Sequence, residues 1–229
     1  MENKIERKEW MQNKTVLITG GTSGLGRACV DVFLDAGWNV ATFGRGFNLI
    51  SEIREVNRNK NIIAEVCDLR VSNHLDNVLE IFQKTFGRFD VVILNAGELG
   101  KTPLRNSSDL EPNDFRSVFE TNFFGNLSLI LKLLKKQGKG NTTYVHITSD
   151  AGSTPYPGWG PYGSSKAAMD FLFRIMQTEE EKLGNRFISF DPGDMNTEMH
   201  RLALPGDDHE RLKNPYDSAR ELLDLIERR

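Results

Sequence analysis

A chain of 229 residues, 38% hydrophobic and 27% charged, has room for one well-buried domain and too little for a second of ordinary size. Its formal net charge of −3 is spread over interspersed signs with no basic stripe, which argues against nucleic acid or an anionic membrane as the main partner. Cys29 and Cys67 lack CxxC spacing, and His146, His200 and His209 have no ligand partners at recognisable spacing; neither a disulfide framework nor a metal site is expected.

The N-terminal stretch, residues 1–13, is a charged extension unlike a signal peptide, and no apolar run approaches the roughly 18 residues of a membrane helix. A cytoplasmic protein with one domain over 14–229 is expected. Short apolar, β-branched runs then recur between segments of helical period: TVLIT at 15–19, NVATF at 39–43, NIIAEV at 61–66, FDVVIL at 89–94, TTYVHIT at 142–148 and RFISF at 186–190. Six strands alternating with helices predict an α/β fold, a doubly wound parallel sheet covered on both faces.

Directly after the first strand, TGGTSGLGRA opens a helix that ends at Gly37. Gly20, Gly24 and Gly26 allow a tight turn and close approach of a pyrophosphate to backbone, while the helix N-terminus offers unpaired N–H groups and a positive dipole. The spacing is GxxxGxG, not the usual GxGxxG. The second strand closes with Gly44 and Arg45 where a carboxylate would hold a ribose 2′-hydroxyl, so a 2′-phosphate and NADP(H) are favoured over NAD(H), with Ser23 as a weaker supporting donor. Helices are predicted through VSNHLDNVLEIFQKTFG, ending at Gly87, and without a break over 113–137.

The fifth strand runs into Ser149, at the carboxyl edge where α/β enzymes place ligands, and thirteen residues later Tyr162 opens a further apolar helix over 161–183. Lys166 follows one turn on, so the two polar ends share a helix face and can serve proton transfer. Loops are expected at 153–163 and 203–215, with 195–214 covering the substrate through a loop and a short helix. The helix beginning near NPYDSARELLDLIERR is followed by no apolar strand.

With TGGTSGLG, Asp68-Leu69, NAG at 95–97, the set Asn122, Ser149, Tyr162 and Lys166, and DPGDMNT in this order, the chain from about Lys14 to Thr197 resembles the short-chain dehydrogenase/reductase family. The resemblance implies a Rossmann-type, three-layer α/β/α fold in which six core strands are present and the family's usual seventh is missing. It implies Tyr162 as general acid/base, Lys166 as the cation that lowers its pKa and holds the nicotinamide ribose, Ser149 as a hydrogen-bond partner of the substrate oxygen, and Asn122 as holder of a water in the proton relay.

By the same resemblance the dinucleotide meets Gly20, Thr22, Ser23, Gly24, Leu25 and Gly26 of the turn, Asp68 and Leu69 at the adenine, Asn95, Ala96 and Gly97 along its inner edge, and Pro192, Gly193 and Thr197 beside the nicotinamide. Glu98, Leu99, Tyr156, Trp159 and Met199 are the candidates for the substrate end, and a carboxylate there would disfavour anionic substrates. The expectation is an NADP-dependent reductase of a ketone or aldehyde, or the reverse alcohol oxidation, forming a homodimer through the helices at 113–137 and 161–183. The competing reading is a regulator that binds the dinucleotide without turnover.

Overall fold

A computed structural model describes residues 14–138 and 140–228. The charged N-terminal extension at 1–13 lies outside the described residues. Six strands, β1 (Thr15–Thr19), β2 (Asn39–Gly44), β3 (Ile62–Val66), β4 (Val91–Leu94), β5 (Thr143–Ile147) and β6 (Arg186–Phe190), form one parallel sheet in the order β3-β2-β1-β4-β5-β6. Each strand lies where its apolar run predicts, and β1 and β4 are buried along their whole length, as continuous apolar runs between two helical layers must be.

Alternation along the strands supplies both layers from one sequence. Leu17, Val92 and Tyr144 face a core built with α3 (Ser72–Phe86), α5 (Asn126–Gln137) and α6 (Gly160–Glu180). Val16, Ile18, Ile93 and Val145 face the opposite core, built with α1 (Gly24–Asp35) and α8 (Pro215–Glu227). The short helix α2 (Phe47–Val56), which the pattern analysis did not anticipate, buries only Ile50 and Ile53, against Ala64 of β3. This is the three-layer, doubly wound arrangement expected.

The helix predicted without interruption over 113–137 is divided. α4 (Pro112–Phe119) passes into a π-helical turn, Glu120–Gly125, before α5 begins. Asn126, almost fully buried, spans the widened turn: its side-chain amide donates to the carbonyls of Thr121 at 3.2 Å and Asn122 at 3.1 Å, and across to Ala96 at 3.2 Å. The π turn and α4 both pack against α6, so the wider turn points Asn122 at that helix. After β6, the segment at 195–214 forms α7 (Glu198–Ala203) and a single 3₁₀ turn, His209–Arg211.

Candidate active site

The chain reverses direction across the sheet between β1 and β4, and the crevice beyond the carboxyl ends of these strands is a cleft of about 700 Å³. Of the residues expected at the cofactor, Gly20, Thr22, Ser23, Gly24, Leu25, Arg45, Asp68, Leu69, Asn95, Ala96, Gly97, Tyr162, Lys166, Pro192, Gly193 and Thr197 line it. Gly26 does not; it packs behind the turn, where a Cβ would stand 2.2 Å from the Gly20 carbonyl oxygen and 2.4 Å from Asn95 Nδ2. That amide is needed there, because it donates to the carbonyls of Thr19 and Gly20 and ties the start of the segment after β4 to the glycine turn.

The phosphate end fits a dinucleotide on its own chemistry. Gly20 and Gly24 adopt left-handed backbone, with φ of 68° and 51°. Ser23, the N-cap of α1, makes no side-chain capping bond, which leaves the helix's first N–H groups to be met from the cleft. Four charged groups ring the adjoining rim. Asp68 accepts two bonds from Arg70 Nε and one, at 2.6 Å, from Arg70 Nη2, and this guanidinium holds its carboxyl down to about 2. Arg45 stands near Glu98, with Nη1 3.8 Å from Oε2.

At the other end, Ser149, Tyr162 and Lys166 line the same cleft. The Ser149 hydroxyl accepts from the Ala151 N–H at 3.2 Å and is a hydrogen-bond partner that lowers the pKa of Tyr162. Burial outweighs that effect, with the negative charges of Asp191 and Asp150 acting the same way as burial, so the phenol is pushed well above its ordinary range. The Lys166 ammonium donates to the Ile147 carbonyl at 2.6 Å and lies 5.4 Å from the centre of the tyrosine ring. Burial depresses its own pKa to about 8, against the opposing pull of Asp170 and Asp191.

Asn122 does not line the cleft, yet it braces it. Its Oδ1 accepts from the Glu98 N–H at 2.8 Å, and its Nδ2 donates to the Glu98 carbonyl and to Ser165 Oγ, both at 3.0 Å. Ser165 in turn donates to the Tyr162 carbonyl at 2.7 Å, so one amide joins the segment after β4 to the first turn of α6.

The substrate candidates separate. Leu99, Trp159 and Met199 line the cleft, with Leu202 and Ala203 of the covering segment. Tyr156 is not part of the lining: it is exposed, and its hydroxyl donates to Asp150 at 2.7 Å. Glu98 lines the cleft, and its carboxylate turns to Arg45 and accepts from the Ser117 hydroxyl at 3.3 Å.

Further residues at the cleft were not anticipated. Asp191, in its lining, lies within the DPGDMNT stretch, and Arg70, which engages the lining residue Asp68, directly follows Asp68-Leu69, so both were adjacent to recognised motifs. His200 lines the cleft from α7 and is held to Asp207 at 2.8 Å; no sequence spacing marks that pair.

A glycine turn under a helix N-terminus, joined by one cleft to a serine, a tyrosine and a lysine, defines a dinucleotide-binding oxidoreductase of Rossmann type. The profile described as short chain dehydrogenase matches residues 14–207. A sulfoacetaldehyde reductase of Chromohalobacter salexigens is 31% identical over 196 residues, 84% of this chain and 77% of the relative. A benzil reductase, (S)-benzoin forming, of Saccharomyces cerevisiae is 29% identical over 197 residues, 82% and 74% of the two chains. A short-chain dehydrogenase of Shigella flexneri, solved with NADP, superposes with a TM-score of 0.82 at 25% identity, over 94% of this chain and 90% of that one. The chain belongs to the short-chain dehydrogenase family, whose members are NAD(P)-binding oxidoreductases.

Proposed function

We propose that the protein is an NADPH-dependent reductase of a ketone or aldehyde, able in reverse to oxidise the alcohol. The observation that carries this reading is the continuity of one cleft from the glycine turn and Arg45 to Ser149, Tyr162 and Lys166. When bound, the nicotinamide supplies the hydride. The chain's own residues handle the oxygen and its proton. A Tyr162 whose pKa is raised by burial keeps its proton at neutral pH, the state that a donor to a developing alkoxide needs, and Ser149, in the lining of the same cleft, would orient the same oxygen. This matches reduction better than oxidation.

Arg45 is the support for NADP(H), together with the Shigella flexneri structure that holds NADP. Leu99, Trp159, Met199 and Leu202 give the substrate end an apolar wall, and Asp194 and Glu198 give it an acidic one. An uncharged, partly aromatic carbonyl fits that lining better than an anionic aldehyde such as the Chromohalobacter salexigens relative's name specifies. In this reading the protein works in the cytoplasm and needs no metal, membrane or nucleic acid; among the described residues no helix is long and apolar enough to cross a membrane.

The decisive experiment measures NADPH and NADH consumption against a panel containing benzil, simple aromatic ketones and sulfoacetaldehyde. The expected result is faster turnover with NADPH and with the uncharged ketones. Tight NADPH binding with no turnover across the panel overturns the enzymatic reading in favour of a regulator.

A further inference from the structure

The rim that would receive the 2′-phosphate carries two acids and two bases, not a cation alone. Arg70 is engaged by Asp68 through three short contacts, which leaves its guanidinium committed. Arg45 is held more loosely, 3.8 Å from Glu98, and its side chain is 60% exposed. Glu98 is the opposite kind of partner. Its main chain is clamped at both N–H and C=O by the Asn122 amide, its carboxylate accepts from Ser117, and its side chain is only 22% exposed. The carboxylate is thus the more buried of the two charges and the guanidinium the more exposed and movable.

We propose that Glu98 is a specificity-determining residue for the dinucleotide: it competes with the 2′-phosphate for Arg45 and so limits how far the cleft discriminates NADP(H) from NAD(H). A phosphate arriving at Arg45 must draw the guanidinium away from Glu98 and must also settle near a mostly buried carboxylate that accepts from Ser117 and whose main chain is held by Asn122. A dinucleotide with a free 2′-hydroxyl meets no such opposition and can donate that hydroxyl to the carboxylate. The same residue therefore opposes one cofactor and tolerates the other, which makes discrimination weaker than Arg45 alone would set it. The inference rests on Arg45 as the 2′-phosphate ligand.

Calorimetric dissociation constants for NADPH and NADH, measured on wild type, Glu98→Gln, Arg45→Ala and the double variant, test it without reference to turnover. Glu98→Gln is expected to tighten NADPH by about 5- to 20-fold and to change NADH by less than about 2-fold, and in the Arg45→Ala background that selective gain should vanish. Glu98→Ala, a second route to the same charge change, should give the same sign. Equal effects on both dinucleotides, no effect on NADPH, or a selective gain that persists without Arg45 overturns the competition. Failure of the underlying reading looks different: Arg45→Ala alone would leave the ratio of NADPH to NADH affinity unchanged.

Discussion

Tyr162 and Lys166 sit one turn apart on α6, and burial moves them in opposite directions, the phenol up and the ammonium down to about 8. For Lys166 the sign follows from linkage. Between about 8 in the folded chain and 10.5 in the unfolded one, the unfolded state binds the extra proton, so stability rises with pH across that window. Below it, keeping the buried ammonium charged costs about 3 kcal/mol. Lys166→Met is therefore expected to stabilise the free protein at pH 7 by about 2 kcal/mol, after loss of its bond to Ile147, and the advantage should shrink as pH rises from 8 to 10.5; urea denaturation at several pH values reads this directly. Function should move the other way. Tyr162→Phe is expected to lower turnover by about 10²-fold or more with NADPH affinity kept, whereas Lys166→Ala should lower turnover and weaken the dinucleotide as well. Steady-state rates and binding titrations separate the two, and near-normal turnover in Tyr162→Phe would contradict the proposed proton donor. Serine, tyrosine and lysine were legible in the sequence because local spacing and a strand end place them. The direction of Glu98 and the pull of Asp191 on Tyr162 depend on side chains meeting from separate elements, and no local period encodes that.

At the level of elements, the six strands were readable from their apolar runs, and α1 and α3 from their closing glycines, Gly37 and Gly87, which do adopt positive φ. The strand order was not: it follows from where crossovers return, not from composition. The π turn escaped because Phe119, Phe123 and Ile130 keep an apolar helical spacing through it, while its cause is one polar side chain, Asn126. That cause can be tested. Asn126→Leu would remove the donor to the carbonyls of Ala96, Thr121 and Asn122 in a buried place and is expected to cost about 2–3 kcal/mol. A lowered urea midpoint with an unchanged slope is the expected reading; a loss below about 0.5 kcal/mol would mean that the turn is held by its packing on α6. α2 went unread for a simpler reason, since two buried isoleucines make a weak stripe.

At the scale of the whole molecule, the outer surfaces of the π turn, α5 and α6 leave Phe124, Leu131, Phe171 and Ile175 exposed, more apolar surface than a helix already buried on its inner face requires. The proposed homodimer through these helices predicts that sedimentation at micromolar concentration gives twice the chain mass and that Phe171→Glu with Leu131→Glu returns it to one. A single-chain mass in the unaltered protein rules that dimer out. The covering segment carries a different consequence. It is tied at its base by the Met195–Lys213 pairing and by Ser218 donating to Pro192, while Leu204 to Asp208 stand in solvent. Pro192 and Gly193, just before it, and Thr197 within it line the same cleft as the glycine turn, so a bound dinucleotide would fasten the segment to that turn. At a hundred times its dissociation constant, such a ligand adds about 2.7 kcal/mol to stability. Resistance to a protease that cuts at the exposed stretch Leu204–Asp208 would then rise with the size of the dinucleotide pool, so the amount of the protein would follow the supply of its ligand.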